Sequence, residues 1–103
     1  MAAFRPLNLR FSVRAHLQLA AIQAHISEHN STASARVGAT IRDAAETLRY
    51  FPFAGRTGRS NETREWVVRG LPYIIVYEVG VSNADEVMIL GVFHGAQDRL
   101  ADE

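Results

Sequence analysis

The chain has 103 residues, 48% of them hydrophobic, no cysteine, and a formal net charge of zero in which all eleven basic residues are arginine. That length predicts one domain, residues 1–103, with one core and no need of a metal or disulfide to fold. The missing cysteines exclude disulfide frameworks, thiolate zinc sites and a cysteine nucleophile, and the balanced charge excludes a global electrostatic pull on nucleic acid. The first residues contain no apolar signal-like core, and no stretch approaches the ~18 apolar residues of a membrane span. A cytoplasmic chain is expected, with no membrane partner.

In chain order, Leu7-Asn8-Leu9-Arg10-Phe11 alternates apolar and polar and predicts a short strand with one buried face. Ser12 stands where a helix cap would. Ala15, Leu19, Ile22 and Ile26 follow at helical spacing and predict a first helix over about residues 13–28. His29-Asn30-Ser31 interrupts the pattern. Ser31 or Thr32 is the expected cap of a second helix whose stripe is Val37, Ile41, Ala44, Ala45 and Leu48, stopped by Phe51-Pro52. So short a connection makes the two helices antiparallel neighbours.

Residues 53–61, with two glycines (Gly55 and Gly58) and two arginines (Arg56 and Arg59), have no periodicity and predict a loop. Strands are expected over residues 65–69, over Tyr73–Val79 and over residues 86–93, divided by the turns Gly70-Leu71-Pro72 and Ser82-Asn83-Ala84-Asp85. The predicted order is β-α-α-β-β-β, an α+β fold in which a helical hairpin packs on an antiparallel sheet of about four strands. The place of the first strand, at an edge or crossing the meander, stays open.

Arg56, Arg59, Arg64 and Arg69 are the nearest approach to a basic cluster, and a solvated surface is the plain reading of them. His25 and His29 are four apart on one helix face but lack a third ligand, so no metal site and no cofactor is expected. His94, placed after a buried strand, is well set to be held at a site rim. With Arg64 and Tyr77 it supplies the base, cation and acid that metal-free RNA cleavage requires. Such residues at strand ends also arise as hydrogen-bonded periphery. Tyr73 and Tyr77 share a face with Ile75, so core packing with rim hydroxyls is expected of both.

The runs Gly55-Arg56-Thr57-Gly58-Arg59, Thr63-Arg64-Glu65, Pro72-Tyr73-Ile74-Ile75-Val76-Tyr77 and Val87-Met88-Ile89-Leu90-Gly91-Val92-Phe93-His94-Gly95-Ala96-Gln97-Asp98, behind a helical hairpin, together resemble the ParE branch of the RelE/ParE toxin superfamily. The resemblance covers nearly the whole chain. It implies a toxin held silent by an antitoxin of the ParD kind, and a poison of DNA gyrase rather than an enzyme. Its alternative is the RelE-like activity, a ribosome-dependent messenger endoribonuclease using Arg64, Tyr77 and His94.

RNA-cutting members are similar to one another in being strongly basic and in carrying an arginine where this chain has Pro72-Tyr73. This chain has neither that arginine nor any lysine, and a neutral protein is poorly equipped to neutralise several phosphates. The expected antitoxin- or target-binding residues are Arg56, Arg59, Arg64, Arg69, His94, Gln97 and Arg99.

Overall fold

The computed structural model describes residues 5–60 and 62–95. Strand β1 (Asn8–Phe11) leads through Ser12 into helix α1 (Val13–Ser27), followed by helix α2 (Ser31–Tyr50) and strands β2 (Arg56–Thr57), β3 (Thr63–Val67), β4 (Tyr73–Val79) and β5 (Glu86–His94). The α+β class and the helical hairpin agree with the expectation from sequence. Two details of the sheet do not.

The sheet has five strands in the order β1-β5-β4-β3-β2, and β1 runs parallel to β5, so it is mixed rather than antiparallel. Parity explains the parallel pair. Each connection between successive elements reverses the chain, six reversals separate β1 from β5, and an even number leaves the two strands pointing the same way. The extra strand is β2, which pairs Arg56 with Glu65 and Thr57 with Arg64 inside the predicted loop. Both of its residues are exposed, so no buried alternation marks it in the sequence.

Ser12 ends one element and begins the next. Its backbone N–H donates to the Ile89 carbonyl at 2.9 Å, its hydroxyl donates to the Leu90 carbonyl at 3.1 Å, and the same oxygen accepts from Ala15 N at 3.0 Å as the cap of α1. Helix α2 is capped by Asn30, whose side chain accepts from Ala33 N at 3.0 Å, rather than by Ser31 or Thr32. Between the helices, Ser34 Oγ donates to the Gln23 carbonyl at 2.7 Å.

The core lies between the hairpin and one sheet face. Ile41, Ala45 and Leu48 of α2 and Ala15 and Leu19 of α1 meet Ile75, Tyr77, Val87, Ile89 and Val92. The β4–β5 register slips between Val76 and Tyr77, which face Gly91 and Ile89 and leave Leu90 unopposed. This bulge shifts the inward phase by one residue, which is why Val87 and Ile89 but then Val92 point to the core. β1 is too short to cover the far half of β5. There Gln18 Oε1 accepts from Val92 N at 2.8 Å, satisfying an edge amide in place of a strand. No helix in the described residues is long and apolar enough to cross a membrane.

The opposite sheet face carries Glu78 and Glu86. Glu86 is 8% exposed, and one of its carboxylate oxygens has no hydrogen-bond partner, while the other lies 4.0 Å from Arg10 Nη1. Burial, and then the neighbouring Glu62 and Glu86 carboxylates, push Glu78 above the usual carboxylate range. A raised carboxyl pKa means the folded state binds the proton more tightly than the unfolded chain. Stability therefore falls as pH rises from the ordinary carboxylate range through the raised value. Glu78→Gln is expected to stabilise the fold near neutral pH and to have no such effect in acid. Urea unfolding of both chains at the two pH values measures this, and an equal effect at both would refute it.

Candidate functional site

The residues singled out from sequence do not form one cluster. Arg56 and Glu65 face each other across β2–β3 and make an ion pair at 3.1 Å, with Glu65 side chain only 5% exposed. Arg64 is the next residue along a pleated strand, so it points to the other side, toward Tyr77. Arg69 lies past the far end of β3, at a cleft of about 250 Å³ shared with Thr40, Asp43, Thr47 and Trp66. Arg59 is exposed on the loop between β2 and β3. Gln97 and Arg99 lie outside the described residues. The strand pleat and the β2 pairing therefore divide what the sequence places within fourteen positions.

The trio Arg64, Tyr77 and His94 is divided as well. Arg64 sits opposite Tyr77 on β3–β4, but His94 sits opposite Tyr73. Four residues of β4 separate those positions, about 13 Å along the strand. The His94 ring meets the Tyr73 ring edge-on, with centroids 5.8 Å apart. A base and an acid so far apart do not act on one scissile phosphate without a large rearrangement.

Tyr77 packs in the core as expected, but its hydroxyl is not left at the rim. It is fully buried. Its hydroxyl donates to the Pro52 carbonyl at 2.8 Å and accepts from Gly55 N at 2.9 Å. Burial raises its pKa, outweighing the Gly55 hydrogen bond and the Arg64 charge that lower it, so the phenol stays protonated. Arg64 completes the arrangement: Nη1 donates to the Gly55 carbonyl at 2.9 Å and to the Phe53 carbonyl at 3.4 Å, and the guanidinium lies 5.0 Å from the centre of the Phe53 ring. Together, Tyr77 and Arg64 clamp residues 52–55 to the sheet.

The clamp presents a segment that sequence reasoning reads only as a helix stop. Tyr50-Phe51-Pro52-Phe53 starts at the last residue of α2, and three aromatics in four residues is the available signal. Phe51 and Phe53 project from the fixed backbone into solvent. Among the described residues, no group of three histidine or acidic side chains is placed to hold a metal ion. The geometry offers apolar anchors and guanidinium groups on a rigid frame, the ingredients of a protein-binding surface.

Known proteins agree with the type of fold. A structure of the chromosomal ParDE toxin–antitoxin system from P. aeruginosa superposes with a TM-score of 0.76 at 19% identity, over 85% of this chain and 95% of that one. A chain of the toxin–antitoxin complex RelBE2 from Mycobacterium tuberculosis superposes with a TM-score of 0.64 at 22% identity, over 87% and 99%. In sequence, the protein Y4kP of Sinorhizobium fredii, named as a candidate toxin, is 39% identical over 90 residues, 87% of this chain and 90% of that protein. The model of the ParE toxin of the type II toxin–antitoxin system parDE matches residues 9–99. This chain belongs to the ParE toxin family of type II toxin–antitoxin systems.

Proposed function

We propose that the chain is a cytoplasmic growth inhibitor that acts by binding DNA gyrase, is not a nuclease, and is neutralised by a ParD-like antitoxin. The observation that supports a binding role is the separation of His94 from Arg64 and Tyr77, with the Tyr77 hydroxyl already engaged as both donor and acceptor. The zero net charge favours a protein target over a phosphate backbone. Arg56, Arg59, Arg64, Arg69 and His94, with Gln97 and Arg99 from the tail, are the proposed contact residues toward antitoxin or target.

Induction of the chain without its antitoxin tests the reading. Filamentation, gyrase-linked DNA breaks and intact messenger are expected. Rapid messenger cleavage with undamaged DNA would transfer the function to a ribosome-dependent endoribonuclease. His94→Ala sharpens the contrast: loss of one contact among several should weaken growth arrest by about tenfold or less, whereas a nuclease relying on His94 as base would lose about 10²–10⁴-fold of its rate.

A further inference from the structure

We propose that the Tyr50–Phe53 segment and the cleft beside it are a docking surface for an acidic, aliphatic stretch of the antitoxin. The proposal rests on the toxin–antitoxin reading above and adds where the antitoxin sits and what chemistry it brings.

The surface begins with exposure. Phe51 is 65% exposed, Phe53 66% and Tyr50 46%. Three aromatic side chains this open within four residues of chain expose an amount of apolar surface that small proteins seldom leave bare. The segment is also rigid: the Tyr77 and Arg64 hydrogen bonds hold Pro52, Phe53 and Gly55, and Ala54 N donates to the Phe51 carbonyl at 3.1 Å. Rings presented on a fixed backbone bind with little ordering cost, and aromatic and arginine side chains are those that dominate protein interfaces.

Beside Phe53 lies a cleft of about 250 Å³, floored by Leu7, Pro52 and Val79 and flanked by Arg5 and Arg49. Among the described residues, no carboxylate lines it. Glu46 reaches Arg49 from outside, at 2.9 Å, and Asp85 belongs to the neighbouring cleft on the other side of Arg5 and Leu7. The space suits one aliphatic side chain, and the two guanidinium groups at its rim suit carboxylates next to it in the partner's sequence.

Other occupants fit less well. Leu7, Pro52 and Val79 on the cleft floor and the exposed Phe51 and Phe53 rings offer a phosphate nothing to bind. A second copy docked through this same surface would bring two sets of Arg5, Arg49 and Arg64 into one interface, a like-charge juxtaposition. A target met only transiently would leave the rings uncovered most of the time. A partner held in a lasting complex covers them continuously, and that partner is the antitoxin.

The test is calorimetric titration of full-length antitoxin into three variants of the purified chain: F51A/F53A, Arg5→Glu, and Leu17→Ala as a control. Leu17 is 65% exposed on α1, away from the cleft. F51A/F53A is expected to weaken binding at least tenfold. Arg5→Glu should weaken it by a margin that grows as salt is lowered, and Leu17→Ala should leave it unchanged. Arg5→Glu alters an exposed side chain outside the regular elements, so it decides the matter even if the double variant misfolds. Wild-type affinity in both F51A/F53A and Arg5→Glu overturns the docking site while leaving the toxin–antitoxin reading intact. A wild-type chain that binds no antitoxin overturns both, and loss of self-association or DNA binding in these variants, with antitoxin affinity kept, reassigns the surface.

Discussion

Tyr77→Ala is expected to lose about 3–5 kcal/mol of folding free energy, the range for removing a fully buried aromatic ring. Domains of this size are stable by about 5–15 kcal/mol in total, so the variant should lose a large share of its stability and melt well below the parent chain. Tyr77→Phe separates the ring from the hydroxyl. It keeps the packing against Ile75 and Ile89 but leaves the Pro52 carbonyl and the Gly55 amide without their partner. The expected loss is about 1–3 kcal/mol, with limited proteolysis appearing between residues 51 and 55. Urea unfolding of the two variants checks both values. A neutral Tyr77→Phe would mean that the hydroxyl does not fasten the segment, and the rigidity assigned to Phe51 and Phe53 would have to come from elsewhere.

Gly55→Ala is expected to cost about 1–3 kcal/mol, the usual range for overpacking. A Cβ at this position would stand 2.5 Å from the Tyr77 hydroxyl and 2.8 Å from the Glu65 carbonyl. The first neighbour is a ring fixed in the core and the second is backbone, so neither yields cheaply. The penalty should shrink in the Tyr77→Phe background, because removing the hydroxyl opens the tightest contact while the Glu65 carbonyl stays in place. Thermal denaturation of the two single variants and the double variant gives the coupling directly. Additive losses would show that Gly55 and Tyr77 do not share this space.

Both predictions concern a feature that local sequence pattern does not reveal. The helices were legible because Ala15, Leu19, Ile41, Ala45 and Leu48 recur at helical spacing, and Tyr73–Val79 because β-branched and aromatic residues crowd there. The caps and turns were nearly so: Ser12 takes its expected place, while Asn30 rather than Ser31 closes α2, a one-residue choice among equally good acceptors. What failed to show was non-local. Two exposed residues carry no periodicity, so β2 was invisible, and its pairing separates Arg56 from Arg64. The bulge at Leu90 and the position of Pro52 relative to Tyr77 depend on how distant segments meet, and the second turns a hydroxyl expected at the rim into an internal fastening. His94 was correctly placed at the end of a buried strand, but register alone decides that its neighbour is Tyr73.

The pairing of β1 with β5 also governs when the molecule can exist. Ser12 and Leu90, joined by a hydrogen bond, are 78 positions apart. Contacts of such separation form late, because the closure entropy of the intervening chain must be met first. On the ribosome the first strand emerges with no sheet to join, and the helices can only associate with each other, their shared apolar face waiting for strands not yet translated. The sheet against which that face packs closes only when β5 has been made. A message truncated before Glu86 therefore yields a chain with β1 unpaired, β4 lacking its inner neighbour and the Ser12 hydroxyl without its acceptor, so loss of the last part of the reading frame should disarm the toxin as surely as loss of its beginning.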